Sequence, residues 1–230
     1  MKDDSPARAE FGLRPVVPGN WAEVPRDLEG AFRQRLAGSG LVEEAGAVEA
    51  IRILPLPFFD GWMLCDFLMG EVGPGADPEL AAMVVLYGPD GFTPLDDYRR
   101  IERHIEIHGV DLGDTDACLS FLLFAGTFGA VGDPLHVAHA GTLASAVTLE
   151  MAHPDAAKSP LDRVRAPTIA RGRLEAVSRS TRLRLELRLA ADGEITVLDR
   201  ADLGPAGVRD RVRREGAMRY VRRKPSGDAR

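Results

Sequence analysis

The chain has 230 residues and a formal net charge of −6 at pH 7, with 45% hydrophobic and 28% charged residues. These values are typical of globular proteins, so they argue against a chain that is disordered throughout. The uncharged run 117–132 is shorter than the roughly 20 apolar residues that cross a bilayer, and we expect no membrane association.

The charge is divided unevenly along the chain. Residues 1–150 carry 10 basic and 24 acidic residues, a net charge of −14, whereas residues 151–230 carry 19 basic and 11 acidic residues, a net charge of +8. Either the two halves pack against one another or the basic half binds an anionic partner, and the first is the simpler expectation.

The two cysteines, Cys65 and Cys118, each lie in apolar surroundings and form no CxxC pair. We interpret both as core thiols rather than as a disulfide or metal framework. The polar N-terminal stretch MKDDSPARAE does not have the pattern of a secretory signal, so we expect a cytoplasmic location.

The first predicted elements are one helix and three strands. A helix starting near Pro25 would bury Leu28, Phe32 and Leu36 on one face and end at the glycines 38–40. Three apolar runs follow, at 47–56, 62–69 and 80–87, and the GPDG turn closes the last one. We predict that all three are strands and that the middle run, WMLCDFLM, is covered on both faces.

A central helix and a meander complete the predicted fold. Residues 115–128 are apolar around the whole circumference, as in a buried helix with Asp114 or Thr115 as its cap. The alternating run RLRLELRL, the Asp192-Gly193 turn and EITVL predict a hairpin, with Ile195 and Val197 facing the core. Residues 173–177 would add a third strand.

The sequence therefore predicts an α+β fold, with a largely antiparallel sheet, a central apolar helix, an N-terminal helix and a C-terminal β-meander. The predicted domains are an acidic α+β lobe, residues 1–151, and a basic lobe, residues 152–230, formed by the meander and a C-terminal tail. A single domain is the alternative.

The tail, residues 207–224, is the one candidate surface for nucleic acid or another anion, and part of it could be helical. Tyr220 is its lone aromatic residue, so nucleic acid is an unlikely partner for it, and we favour packing against the acidic half. Its basic residues are Arg209, Arg211, Arg213, Arg214, Arg219, Arg222, Arg223 and Lys224.

The stretch ERHIEIHG, residues 102–109, holds two histidines four residues apart. On a helix, His104 and His108 would share a face and could bind a metal together with Asp111, although the glutamate of an HExxH motif is missing. On a strand, Ile105 and Ile107 would point inward and the histidines would lie in solvent, which is the interpretation we favour.

Other catalytic patterns are missing from the sequence. There is no GxSxG elbow for a hydrolase and no GxxxxGK[ST] or GxGxxG phosphate loop, so we assign no catalytic residue and no cofactor. His136 and His139 would point to opposite faces of a strand, and Asp96 and Asp97 are typical of a turn.

The motifs LYGPDGFTPLD, LSFLLFAGTF and GDPLHV, with ADGEITVLD further on, resemble a pattern of bacterial proteins of unassigned activity. The resemblance implies structural motifs only, and it transfers no functional residue to this chain. The expectation for function is a non-catalytic interaction or regulatory module that binds an unknown protein or a second copy of itself. The alternatives are a metal-dependent hydrolase using His104 and His108 and weak binding of nucleic acid by the tail.

Overall fold

The computed structural model describes residue 13 and residues 15–43, 47–72, 79–132, 134–137, 147–151, 166–178, 181–206 and 212–222. The helices are α1 (Arg26–Gly38), α2 (Tyr98–His108) and α3 (Thr115–Thr127). The strands are β1 (Ala22–Glu23), β2 (Ala50–Pro55), β3 (Met63–Val72), β4 (Glu79–Gly88), β5 (Gly91–Pro94), β6 (His136–Val137), β7 (Val147–Met151), β8 (Thr168–Ser178), β9 (Thr181–Ala190), β10 (Ile195–Pro205), β11 (Val212–Glu215) and β12 (Met218–Arg222).

These strands form two sheets in which the pairs are antiparallel. The first sheet has the order β1-β2-β3-β4-β12-β11, and β5 also pairs with β4. The second sheet has the order β10-β9-β8-β6, and β7 also pairs with β8. The predicted α+β fold with a largely antiparallel sheet is confirmed, and β8, β9 and β10 form the predicted meander.

The main core lies between the two sheets and contains α3. Leu64 and Leu86 of the first sheet belong to the same buried cluster as Phe121 of α3 and Leu185 of β9. Asp114 caps α3 by accepting a hydrogen bond from the Ala117 amide at 2.7 Å, as the sequence predicted. A helix surrounded by two apolar sheet faces can be apolar on all sides, which explains its composition.

A second cluster covers the opposite face of the first sheet. Leu36 of α1 packs there with Ile51 of β2 and with Cys65 and Phe67 of β3. Strand β3 is therefore covered on both faces, as predicted for WMLCDFLM. Leu28, which was predicted to be buried by α1, is 49% exposed instead, because only the later part of α1 reaches the sheet.

The C-terminal region differs from its prediction. Residues that were considered as a possible helix form the hairpin β11–β12, which turns at Gly216 with a φ of 58°. Strand β12 pairs with β4, so the edge of the first sheet supplies its hydrogen-bonding partner. The boundary between lobes 1–151 and 152–230 stays a prediction, although β12 joins the sheet formed by the first segment.

Strand β10, the last strand of the meander, is less buried than predicted. Val197 lies opposite the buried Leu187 and therefore points to the core side of the sheet, as predicted, but it is 37% exposed, and the next residue, Leu198, is 52% exposed. A register shift between Val197 and Asp199 marks a β-bulge in β10. The strand runs along the rim of the core, because β9 is its one partner among the described strands.

Candidate functional site

The two histidines of ERHIEIHG lie on a helix rather than on a strand. Asp97 begins α2 by accepting a hydrogen bond from the Arg100 amide at 3.3 Å, and Gly109 ends it with a φ of 75°. His104 is 6% exposed, whereas Ile107 is 65% exposed. The preferred strand interpretation is therefore wrong: the helical period turns His104 inward beside Ile101 and leaves Ile107 in solvent.

His104 lies in an aromatic cluster. Its ring centroid is 4.6 Å from that of Phe59 and 4.2 Å from that of Trp62, both with edge-to-face geometry. The ring of His108 is 4.4 Å from that of His104, and its Nε2 atom is 3.5 Å from Oδ2 of Asp90. The GPDG turn after β4 therefore brings Asp90 to the end of α2.

The surroundings of His104 favour its neutral form. Burial and, to a smaller extent, the neighbouring His108 lower the pKa of His104 to about 4, although Asp90 opposes both effects. Nε2 of His104 is buried and has no hydrogen-bond partner in the structure. At neutral pH this imidazole therefore serves as an apolar-packed ring rather than as a charged group.

Asp111, the third residue of the predicted metal site, forms its hydrogen bonds with residues other than the two histidines. Oδ1 of Asp111 accepts a hydrogen bond from the Gly113 amide at 3.0 Å, while the Asp111 amide donates to the carbonyl of Phe58 at 2.9 Å. The structure brings His104 and His108 together, but within the described residues no group of three potential metal ligands converges. The metal site stays a prediction.

The eight basic residues of the predicted anion-binding tail have different environments. Arg219 is buried and donates to Oδ2 of Asp66 at 2.8 Å. Arg214 donates to the carbonyl of Thr127 at 3.2 Å and lies over the ring of Phe128. Burial lowers the pKa of Arg214 to about 10. The side chains of Arg209, Arg211, Arg213, Arg222, Arg223 and Lys224 lie outside the described part of the structure.

An ion cluster inside the first sheet was not identified from the sequence. Oδ2 of Asp66 accepts hydrogen bonds from Nε and Nη2 of Arg52, at 3.1 and 2.5 Å, as well as from Arg219. Asp66 is fully buried, and Arg52 and Arg219 are nearly so. The available signal was Arg52 within the apolar β2 and Asp66 within the run WMLCDFLM, because a buried charge needs a partner.

The cysteines are packed in the interior, as predicted. Burial raises the pKa of both the Cys65 and the Cys118 thiols, so neither is a reactive thiolate at neutral pH. Sγ of Cys118 donates to the carbonyl of Leu112 at 3.4 Å.

In the described part of the chain, the candidate for a binding surface is the edge strand β10. It has 11 residues and pairs with β9 alone among the described strands. Val197 and Leu198 are exposed on its first half, and Asp199, Arg200 and Asp202 are exposed on its second half. An edge strand carries unpaired backbone groups to which another strand can bond.

No described helix has the length and apolar character needed to cross a membrane. Comparisons with protein-family models, with curated proteins and with solved structures gave no match for this chain.

Proposed function

We propose that this protein is a non-catalytic interaction module that binds another protein chain along the edge of β10 that has no partner among the described strands, and that it works in the cytoplasm. The observation that carries the proposal is an 11-residue edge strand with two consecutive exposed large hydrophobic side chains. Strand addition would give affinity through backbone hydrogen bonds and selectivity through the side chains that meet across the two strands.

The first half of β10 provides apolar contact. Val197 lies opposite Leu187, and Leu198 is the additional residue of the bulge. Five large hydrophobic side chains are exposed in the described part of the chain, and Val197 and Leu198 are two of them. Their burial against a partner would be favourable by roughly 25 cal/mol for each Å² of apolar surface removed from water.

The second half of β10 restricts which strands can bind. Arg200 and Asp202 lie opposite Leu185 and Leu183, on the side of the sheet that faces the core, and yet both are exposed. Charges that point to this side, a bulge and a terminal proline are the devices that protect edge strands from indiscriminate pairing. A partner must therefore present complementary charges, which makes the edge selective.

The cysteines support the cytoplasmic part of the proposal. Cys65 and Cys118 are both free thiols, and such thiols are typical of proteins in a reducing compartment. Fractionation of cells that produce the native protein should place it with cytosolic markers, and its recovery in a secreted fraction would contradict this location.

Site-specific photo-crosslinking in living cells tests the function. A benzophenone amino acid is introduced at Leu198 on β10, and a matched protein carries it at Leu28, a leucine of similar exposure on α1. We expect illumination to convert the Leu198 protein into one discrete covalent adduct, because a bound strand lies within reach of the probe. The Leu28 protein should give no comparable adduct.

The absence of an adduct at Leu198, or the same adducts at both positions, would refute the role of β10. The mass of the adduct also reports the partner, because two copies of this chain differ in mass from a complex with another protein.

A further inference from the structure

We infer that the chain that adds to β10 is a second copy of this protein, paired antiparallel about a twofold axis at Ala201. The inference rests on the proposed function of the same edge and identifies its partner. It follows from the order of charges in the strand and from the direction of its backbone groups.

Symmetry limits the possible registers. Two identical antiparallel strands are related by a twofold axis perpendicular to the sheet, and residues that lie opposite one another point to the same face. Side chains alternate between faces along a strand, so the axis must pass through a position where a residue meets its own copy. Each register is therefore defined by the residue on the axis.

The charges select Ala201 as that residue. With Ala201 on the axis, Arg200 lies opposite Asp202 of the second copy, and Asp202 lies opposite Arg200 of the second copy. Opposite charges on directly facing residues stabilise a strand pair, and here the favourable pair occurs twice. Arg200 is exposed and has no ion-pair partner among the described residues, so it is available for this contact.

The neighbouring registers bring like charges together. An axis at Asp199 or at Asp202 would place two carboxylates opposite one another, and an axis at Arg200 would do the same with two guanidinium groups. Like charges directly opposite one another destabilise a strand pair. Within the charged segment 199–202, Ala201 is the one centre that pairs opposite charges.

The backbone supports the same register. The Ala190 amide donates to the carbonyl of Glu194 at 2.9 Å, which makes 190 and 194 a hydrogen-bonded pair. In an antiparallel ladder such pairs alternate, so the even-numbered residues of β9 bond to β10. Arg200 and Asp202 face the odd-numbered Leu185 and Leu183, so their own backbone groups point away from β9.

Two backbone-bonded pairs would therefore flank the axis. Arg200 of one copy and Asp202 of the other could exchange both of their backbone hydrogen bonds, and the symmetric pair could do the same. The residues with complementary side chains are thus the residues with free backbone groups. The product would join two five-stranded sheets through their β10 strands.

Charge-reversal variants test this pairing. The mass of the full chain is followed by sedimentation equilibrium over a range of concentrations for the native protein, for Arg200→Asp, for Asp202→Arg and for the double variant. We expect the native protein to move from 24.9 kDa toward twice that mass as its concentration rises. Each single variant should associate roughly tenfold more weakly or worse, because every facing pair becomes a pair of like charges.

Two further samples provide the decisive controls. The double variant should dimerise like the native protein, because it restores opposite charges in reversed order. An equal mixture of Arg200→Asp and Asp202→Arg should form heterodimers, because one copy then contributes two acids and the other two bases. Both positions are exposed, so circular dichroism should show an unchanged fold for every variant.

A native protein that stays at the mass of one chain at every concentration would overturn the inference. A dimer that the single variants leave unchanged would overturn it as well. These failures differ from failure of the proposed function: an adduct at Leu198 with a different protein would keep the function and reject the second copy as partner.

Discussion

Asp66, Arg52 and Arg219 form a buried ion cluster that joins three strands of the first sheet. Burial lowers the pKa of Arg52, and the Asp66 carboxylate opposes this effect. Both guanidinium groups donate to the same carboxylate oxygen, so Asp66 connects the two arginines. The intact cluster contributes little net stability, because the removal of its charges from water offsets most of their attraction.

Replacement of Asp66 alone should be severe. In Asp66→Asn the two arginines lose the buried carboxylate that they share, and we expect the free energy of unfolding to fall by about 3 to 5 kcal/mol. Denaturant unfolding gives the value, with Asp60→Asn at an exposed position as the control, for which a change within about 0.5 kcal/mol is expected. A loss below about 1 kcal/mol for Asp66→Asn would show that the cluster is not coupled in this way.

His104 should make stability depend on pH. Because burial lowers its pKa from 6.5 to about 4, the unfolded chain binds a proton between these values that the folded chain does not bind. The free energy of unfolding is therefore highest above pH 6.5 and falls as the pH drops through this window, by at most about 3 kcal/mol from this group.

The variant His104→Phe removes the proton site and retains an aromatic ring beside Phe59 and Trp62. Its stability should fall less steeply than that of the native protein between pH 6.5 and 4, as measured by denaturant midpoints at each pH. His108→Gln, a change at the more exposed histidine, should keep most of the native slope. Equal slopes for the native protein and His104→Phe would contradict the buried neutral state.

At the scale of elements, Trp62 connects the end of β4 with helix α2, because its ring contacts both Gly88 and His104. A Cβ atom at Gly88 would lie 2.2 Å from Cδ2 of Trp62, so the indole ring packs directly on the backbone of β4. The same ring also packs against His104 with edge-to-face geometry. The absence of a side chain at residue 88 therefore sets the position of the aromatic cluster.

Gly88→Ala should displace Trp62 and destabilise the protein by about 1 to 3 kcal/mol, as overpacking of an interior does. Gly30→Ala on α1 is the matched control, because nothing lies within 4 Å of its added Cβ and alanine favours a helix. Thermal unfolding and tryptophan fluorescence measure both effects. If Gly88→Ala unfolds at the same temperature as the native protein, the close packing of Trp62 on residue 88 is not important for stability.

Elements with a continuous apolar pattern could be predicted from the sequence, and elements that depend on distant partners could not. The run WMLCDFLM predicted β3, and the apolar circumference of 115–128 predicted α3, because burial on all sides leaves a local signature. The pattern of α2 was ambiguous, since the burial of His104 depends on Phe59 and Trp62 from another segment.

The same limit explains the C-terminal hairpin and the ion cluster. Arg219 and Asp66 are 153 residues apart in the chain, so no local pattern indicates that they meet. Strand β12 forms because β4 offers it an edge, and a basic stretch with few apolar residues gives little sign of that. The contact between Arg219 and Asp66 agrees with the charge asymmetry of the sequence, because it joins an arginine of the basic half to an aspartate of the acidic half.

At the scale of the whole molecule, the two sheets differ in how they are covered. The first sheet is covered on both faces and holds the ion cluster, whereas the second sheet packs against α3 and ends at β10, which pairs with β9 alone among the described strands. In the proposed function, the edge strand β10 is the surface for association. The function proposed for the protein therefore depends on whether the backbone of β10 forms a second ladder.

Hydrogen exchange of the β10 amides, followed by mass spectrometry from dilute to concentrated protein, tests this claim most directly. Amides of β10 that point away from β9, including those of Val197, Arg200 and Asp202, should exchange rapidly in dilute protein and become protected as the protein associates. The amides of β9 should keep the same protection throughout. Unchanged rapid exchange along β10 in the associated protein, or protection that appears at another surface instead, would contradict the account.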